Sequence, residues 1–292
     1  MQIQTYNAAE DFLCAATPFL LKHEAAHNLL LGLVGELVHT PHLYSQEDPF
    51  LTLVTSQGQP IGAALRTPPY MLSLGLFVAA EREQALQKLV EHVFQRYPDL
   101  NGVSGPHESS DAFASMWAAH TGKAVQRTMA QRIYQLTQVQ PHQCVAGQLR
   151  EATKVDRAML IEWFMGFQRD AMGSEPDMHK AGIAVKRWLE SVGRTLFVWE
   201  DAGCPVCMTG VAGTTPHGIR VSAVYTPQAL RQRGYASACV AAVSQRMLDQ
   251  GRSFCFLYTD LANPISNSIY QRIGYRAVCD VNEYQFEEQK TR

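Results

Sequence analysis

The stretch from Ile219 to Gln250 constrains this chain more than any other. A hydrophobic run, Ile219–Tyr225, is followed by Arg231-Gln232-Arg233-Gly234-Tyr235-Ala236 and then by a small-residue helical pattern, Ala236–Gln250. A strand that turns so abruptly into a helix exposes successive backbone N–H groups. The helix adds its unsatisfied first-turn amides and the positive end of its dipole. That arrangement predicts a pyrophosphate cradle. Gly234 and Ala236 suit it, because a large side chain there would hold the backbone away from a phosphate.

Length and composition set outer bounds. At 292 residues the chain is long enough for about two domains, taking ~150 residues for each. A hydrophobic fraction of 46% with 18% charged residues describes an ordinary globular protein with a sizeable core. Net charge is −2, which favours neither nucleic acid nor an anionic membrane as partner. The opening MQIQTYNAAEDF lacks the basic and apolar blocks of a secretion leader. Leu29–Val38 is interrupted by Gly32, Gly35 and Glu36 and is too short to span a bilayer. Seven cysteines, odd in number and scattered, fit reduced thiols, so a cytoplasmic location is expected.

The second half reads as a strand at Gln148–Arg150 and helices at Val155–Gln168 and Ala181–Val192. A hairpin, Thr195–Glu200 with Val206–Val211, turns at Asp201-Ala202-Gly203. After Ile219–Tyr225 and the helix closed by Gly251 come a buried strand, Phe254–Tyr258, and a helix, Ser266–Ile273, closed by Gly274. A tail, Tyr275–Phe286, alternates like two strands. The first half repeats this order. Helical text covers Ala8–Val38, strands fall at Phe50–Val54, Ile61–Leu65 and Tyr70–Phe77, and a helix at Glu81–Tyr97. A strand near Gly102–Ser104, a helix at Asp111–His120 and a strand at Met129–Leu136 complete it. The expected domains are 1–140 and 147–292, with a boundary near Gln140–Gln148. Where the second half has its phosphate turn, the first has Val78–Glu83, which carries two carboxylates and no glycine; a diphosphate would be repelled.

Arg231-Gln232-Arg233-Gly234-Tyr235-Ala236 resembles the Gln/Arg-x-x-Gly-x-Gly/Ala signature of the GCN5-related N-acetyltransferase (GNAT) family. Asn263-Pro264, Tyr270 and Gly274-Tyr275 follow at the family's order and spacing. The resemblance implies an α/β (α+β) fold of two tandem GNAT-like domains, each a mixed, mostly antiparallel sheet flanked by helices, the N-terminal one degenerate. It implies an acetyl-CoA-dependent N-acetyltransferase. Backbone groups of Val224, Tyr225 and Thr226 would hold the pantetheine and acetyl carbonyl. Arg231, Gln232, Arg233, Gly234, Tyr235, Ala236 and Ser237 would hold the diphosphate, and Asn263 the pantetheine arm. Tyr270 would protonate the leaving thiolate. Many relatives carry a base on the strand before the turn; here Ile219–Val224 has no carboxylate, which leaves a water relay or Asp260. Phe167, Asp170 and Glu175 are candidate contacts to the amine acceptor, a small molecule or peptide. The competing expectation is a non-catalytic CoA-binding sensor or assembly module, and an edge strand of either half could pair two copies into a homodimer.

Other motifs weigh less. His23-Glu24-Ala25-Ala26-His27 matches H-E-x-x-H, but Leu30 and Leu33 stand where an extended zinc motif needs Gly and His, so no metal is expected. Cys204-Pro205-Val206-Cys207 lies at a hairpin, not at an activating helix N-terminus. Trp163–Phe167 reads as core or pocket wall, and His39–His42 as a connecting loop.

Overall fold

The structure, a computed structural model, describes residues 1–141, 145–173 and 175–288; the expected boundary near Gln140–Gln148 thus includes residues 142–144, outside the described residues. In chain order the elements are β1 (Gln2–Tyr6), α1 (Ala9–Leu20), α2 (Asn28–His39), β2 (Phe50–Ser56), β3 (Gln59–Arg66), β4 (Leu72–Leu74), α3 (Arg82–Arg96), β5 (Gly102–Pro106), α4 (His107–Thr121) and β6 (Ala124–Leu136). The same order then recurs: β7 (Gln148–Glu151), α5 (Arg157–Met172), α6 (Met178–Glu190), β8 (Thr195–Asp201), β9 (Cys204–Ala212), β10 (Gly218–Tyr225), α7 (Tyr235–Asp249), β11 (Phe254–Asp260), α8 (Pro264–Ile273) and β12 (Arg276–Glu287).

Strand pairing repeats with the element order. In the first set β1, β2, β3 and β4 are successively antiparallel and β4 runs parallel to β5. In the second, β7 to β10 are antiparallel neighbours and β10 runs parallel to β11. Each set has one hairpin with two successive left-handed residues at its tip, Gln57-Gly58 and Ala202-Gly203. That backbone matches the right-handed twist of the flanking strands.

The compact units are not the contiguous segments 1–140 and 147–292. One comprises Met1–Ile133, Thr259–Ala262 and the residues from Ala277 onward; the other comprises Tyr134–Tyr258 and Asn263–Arg276. The last strand, β12, pairs antiparallel with β5, Val281 opposite Pro106 and Gln285 opposite Gly102. Phe286 stacks on Trp117 with ring centroids 5.6 Å apart, which makes it part of the first unit's core. The end of β6 goes the other way: Tyr134 and Leu136 are buried in the core of the second unit.

In each unit both faces of the strands are covered. In the first unit, α3 and α4 bring Leu86, Leu89, Phe113 and Trp117 against Phe50, Val54 and Leu74; α1 and α2 bring Phe12, Leu20, Leu30 and Val34 against Leu51, Leu53 and Leu65. The alternation of Phe50 and Leu51 between these cores follows the two-residue period of a strand. In the second unit α7 packs on one face through Ala238, Cys239, Val240 and Val243. Helices α5 and α6 supply Leu160, Phe164, Ala181 and Val185 to the other.

Three expectations are corrected. The helical text over Ala8–Val38 is two helices separated by a 3-10 turn at Leu21–His23, and β1 precedes them. The strand expected over Tyr70–Phe77 is ordered as strand only at Leu72–Leu74. The tail is one continuous strand rather than two; Val281, Asn282 and Phe286 are buried along it. Among the described residues no helix is long and apolar enough to cross a membrane.

Candidate active site

The second unit opens where β10 leaves β11. Their parallel pairing covers only Gly218–Arg220 opposite Phe254–Phe256, although both strands run on. Between Ser222 and Tyr225 three steps along β10 face two along β9, from Gly210 to Met208, so β10 carries one extra residue. Ala223, at φ 51°, absorbs it. A bulge of this kind bends and twists its strand, and here it turns Val224, Tyr225 and Thr226 away from β11. The Thr226 hydroxyl is buried there without a hydrogen-bond partner in the protein.

The turn that follows holds the predicted signature. Gln232 has φ 64° and Gly234 φ 84° with ψ −1°, both left-handed. Gly234 is the N-cap of α7, no side chain caps it, and the first helical bond runs from the Ala238 amide to the Gly234 carbonyl at 3.0 Å. The amides of Tyr235, Ala236 and Ser237 are therefore the helix's unsatisfied donors. A β-carbon on Gly234 would stand 2.9 Å from a methyl of Val145 and would be strained at that φ.

The side chains of the turn mostly point elsewhere. Arg231 pairs with Asp170, donates its Nε–H to the Thr226 carbonyl at 3.0 Å, and lies 5.7 Å over the Tyr225 ring. Tyr235 donates its hydroxyl to Asp201 at 2.6 Å, so only its backbone is available to a ligand. Gln232 and Arg233 are exposed.

Helix α8 carries the second group of predicted residues. Asn263 is its N-cap, its side chain accepting the Ser266 amide at 3.1 Å, and Pro264 follows at the first helical position. Gly274 closes the helix at φ 114°. Tyr270 is half-buried against the α7 core, its ring 6.0 Å edge-on to Tyr275. Burial, with a smaller contribution from Cys207, raises its hydroxyl pKa above the ordinary tyrosine value, so Tyr270 stays protonated at neutral pH. Asp260 falls in the first unit, its carboxylate accepting the Ala262 amide at 2.8 Å and closing a turn.

Of the acceptor candidates, Phe167 and Asp170 lie within α5, which runs four residues past the expected end at Gln168. Asp170 is held by Arg231 and Arg169, which keep its carboxyl below the usual range; its charge is already balanced. Asp177 caps α6 through the Lys180 amide at 2.9 Å, and Glu175 is exposed. Sequence reasoning missed the glycine notch at Gly166, where any β-carbon would collide with the Tyr225 hydroxyl. The 61-residue separation of Arg231 and Asp170 leaves no local signal for their pairing either.

The first unit lacks this geometry. No residue of its corresponding segment, Gly75–Glu83, has a positive φ, and Glu81 and Glu83 stand at the start of α3. Beyond the short β4–β5 pairing, the Leu76 amide donates to Nε2 of His27 at 2.9 Å. The other ring nitrogen, Nδ1, bonds the Leu20 carbonyl at 2.8 Å, and the ring is fully buried. Burial lowers the His27 pKa to about 4, so the ring is neutral, with Nδ1–H as donor and Nε2 as acceptor. Both nitrogens of the second histidine in His23–His27 are thus consumed by the fold. Among the described residues no group of His, Cys, Asp or Glu is placed to hold a metal ion. Cys204 is exposed and Cys207 buried on β9, both free.

This alternation of elements with one splayed parallel pair is the GNAT fold, present twice. Residues 213–285 match the family model described as FR47-like protein, a segment running from before β10 through α8 into β12. Solved structures resemble the whole chain. A GCN5-related N-acetyltransferase from Sphaerobacter thermophilus superposes with TM-score 0.58 at 17% identity, over 97% of this chain and 94% of that one. A tandem GNAT protein from the clavulanic acid biosynthesis pathway does so with TM-score 0.54 at 12% identity, over 100% and 99%. A Drosophila protein reaches TM-score 0.65 at 12% identity over 99% of both chains. No curated protein matches by sequence. The chain is a tandem GNAT-fold protein whose second set of elements carries the FR47-like segment.

Proposed function

We propose that the second unit binds acetyl-CoA and transfers its acetyl group to a primary amine. The observation that carries this reading is the coincidence of two features: the splay of β10 from β11, and the glycine-centred turn that leaves α7 uncapped. The residues fit the co-substrate. Unsatisfied amides at Tyr235–Ser237 suit a diphosphate, and the absent β-carbon at Gly234 lets it approach. The orphaned Thr226 hydroxyl and the edge of Val224–Tyr225 that lies beyond the pairing with β11 suit the amide-bearing pantetheine arm and the thioester carbonyl. The thioester supplies the activated acyl group. In this reading the neutral amine nitrogen attacks its carbonyl carbon, the carbon–sulfur bond breaks, Tyr270 gives its proton to the departing sulfur, and the proton shed by the nitrogen passes through solvent to restore the Tyr270 hydroxyl. Strand β10 offers no carboxylate, so the amine enters already neutral and the rate follows its own ionisation.

Thiol release tests this directly. Incubation of the protein with acetyl-CoA and a panel of small amines and peptides, with free thiol titrated, should show acceptor-dependent release. Tight cofactor binding without thiol release from any acceptor would instead support a CoA-binding sensor.

A further inference from the structure

Helix α8 is ten residues long, and Ile273 is its only fully buried residue among those described. Apolar packing alone fixes its rotation weakly. Polar bonds supply the rest. Tyr134, at the end of β6 and 1% exposed, donates its hydroxyl to Oδ1 of Asn267 at 3.1 Å and accepts Nε2–H of Gln271 at 3.1 Å. Asn267 in turn donates its side-chain amide to the Asn263 carbonyl at 2.7 Å. Asn267 and Gln271 are four residues apart, so they share one face of the helix; Tyr270 stands beside that face.

We propose that Tyr134 is a positioning residue for Tyr270. Its one hydroxyl engages two successive turns of α8, fixing the rotation of the helix and the direction in which the Tyr270 phenol projects. Tyr134 touches neither co-substrate nor acceptor in this scheme, which rests on the acetyl-transfer reading above.

The test is a double-mutant cycle on the full chain, measuring kcat, KM and acetyl-CoA affinity. Tyr134→Phe removes both bonds to α8 and should lower kcat by about tenfold. Acetyl-CoA affinity should stay within about twofold of wild type, because the diphosphate turn is untouched. The Tyr134→Phe/Tyr270→Phe chain should be no slower than Tyr270→Phe alone, since a positioned group that is absent cannot be misplaced. A purely structural tyrosine would lower the melting temperature and leave this coupling at zero. Should Tyr134→Phe fail to fold, Gln271→Met, at an exposed position, removes one of the two bonds and should still lower kcat with affinity unchanged. Full activity of the variant that is measured, or losses that multiply in the double variant, would overturn the role of Tyr134 alone. A wild-type chain that releases no thiol, or a Tyr270→Phe chain as fast as wild type, would overturn the reaction assignment and this role with it.

Discussion

Tyr270 carries its proton at neutral pH as any tyrosine does, and its partly buried setting against the α7 core raises its pKa further. Tyr270→Phe should lower kcat by about 10²–10⁴-fold, the usual contribution of a positioned acid, with acetyl-CoA affinity nearly unchanged. Steady-state kinetics beside a binding titration would show it. His27 is a residue of the opposite kind, buried and neutral for the sake of the fold. Its pKa falls from 6.5 to about 4, so the unfolded chain takes up the proton first on acidification. Stability from this group is therefore complete above pH 6.5 and declines as the pH drops towards 4. One pKa unit corresponds to about 1.4 kcal/mol, so the loss should approach about 3 kcal/mol. Urea melts between pH 4 and 7 should show a steeper pH dependence for wild type than for His27→Gln; identical slopes would remove His27 from that account.

At the scale of elements, strand, turn and helix from Ile219 to Asp249 were legible because each rests on local chemistry. A hydrophobic run, a glycine that must adopt a positive φ and a small-residue helix need no distant partner to be recognised. The bulge was not legible, since Ala223 at φ 51° follows from its register against β9 rather than from any preference of alanine. Nor were the restraints around the site: Arg231 with Asp170, Tyr235 with Asp201, and Tyr134 with Asn267 all join residues far apart in sequence. The charge balance of Asp170 was hidden for the same reason, because Arg231 reaches it from the turn. Gly166→Val probes this level. It should push the Tyr225 ring out of its notch and raise the acceptor KM more than that of acetyl-CoA, as measured by varying each substrate in turn.

For the whole molecule, the repeated element order foretold two related halves, and the carboxylates of Val78–Glu83 set the first apart from the second. The exchange of strands did not show, because β6 and β12 have the composition of any closing strand. Its consequence is measurable. The segment 147–292 lacks Tyr134 and Leu136, both buried in the second unit, and leaves β12 without β5. Loss of a buried leucine alone costs about 2–5 kcal/mol. That segment should melt far below the full chain or fail to fold, whereas 124–292, which restores β6, should regain part of the loss; circular dichroism melts would compare them.

Calorimetric titration of acetyl-CoA into the full chain and into Gly234→Glu tests the central claim most directly. One site per chain is predicted for wild type, since among the described residues only α7 is entered through a left-handed glycine turn while α3 is entered past Glu81 and Glu83, and no measurable binding for the variant, whose carboxylate would occupy the diphosphate position. Two sites per chain, no site, or an unchanged affinity in Gly234→Glu would contradict it.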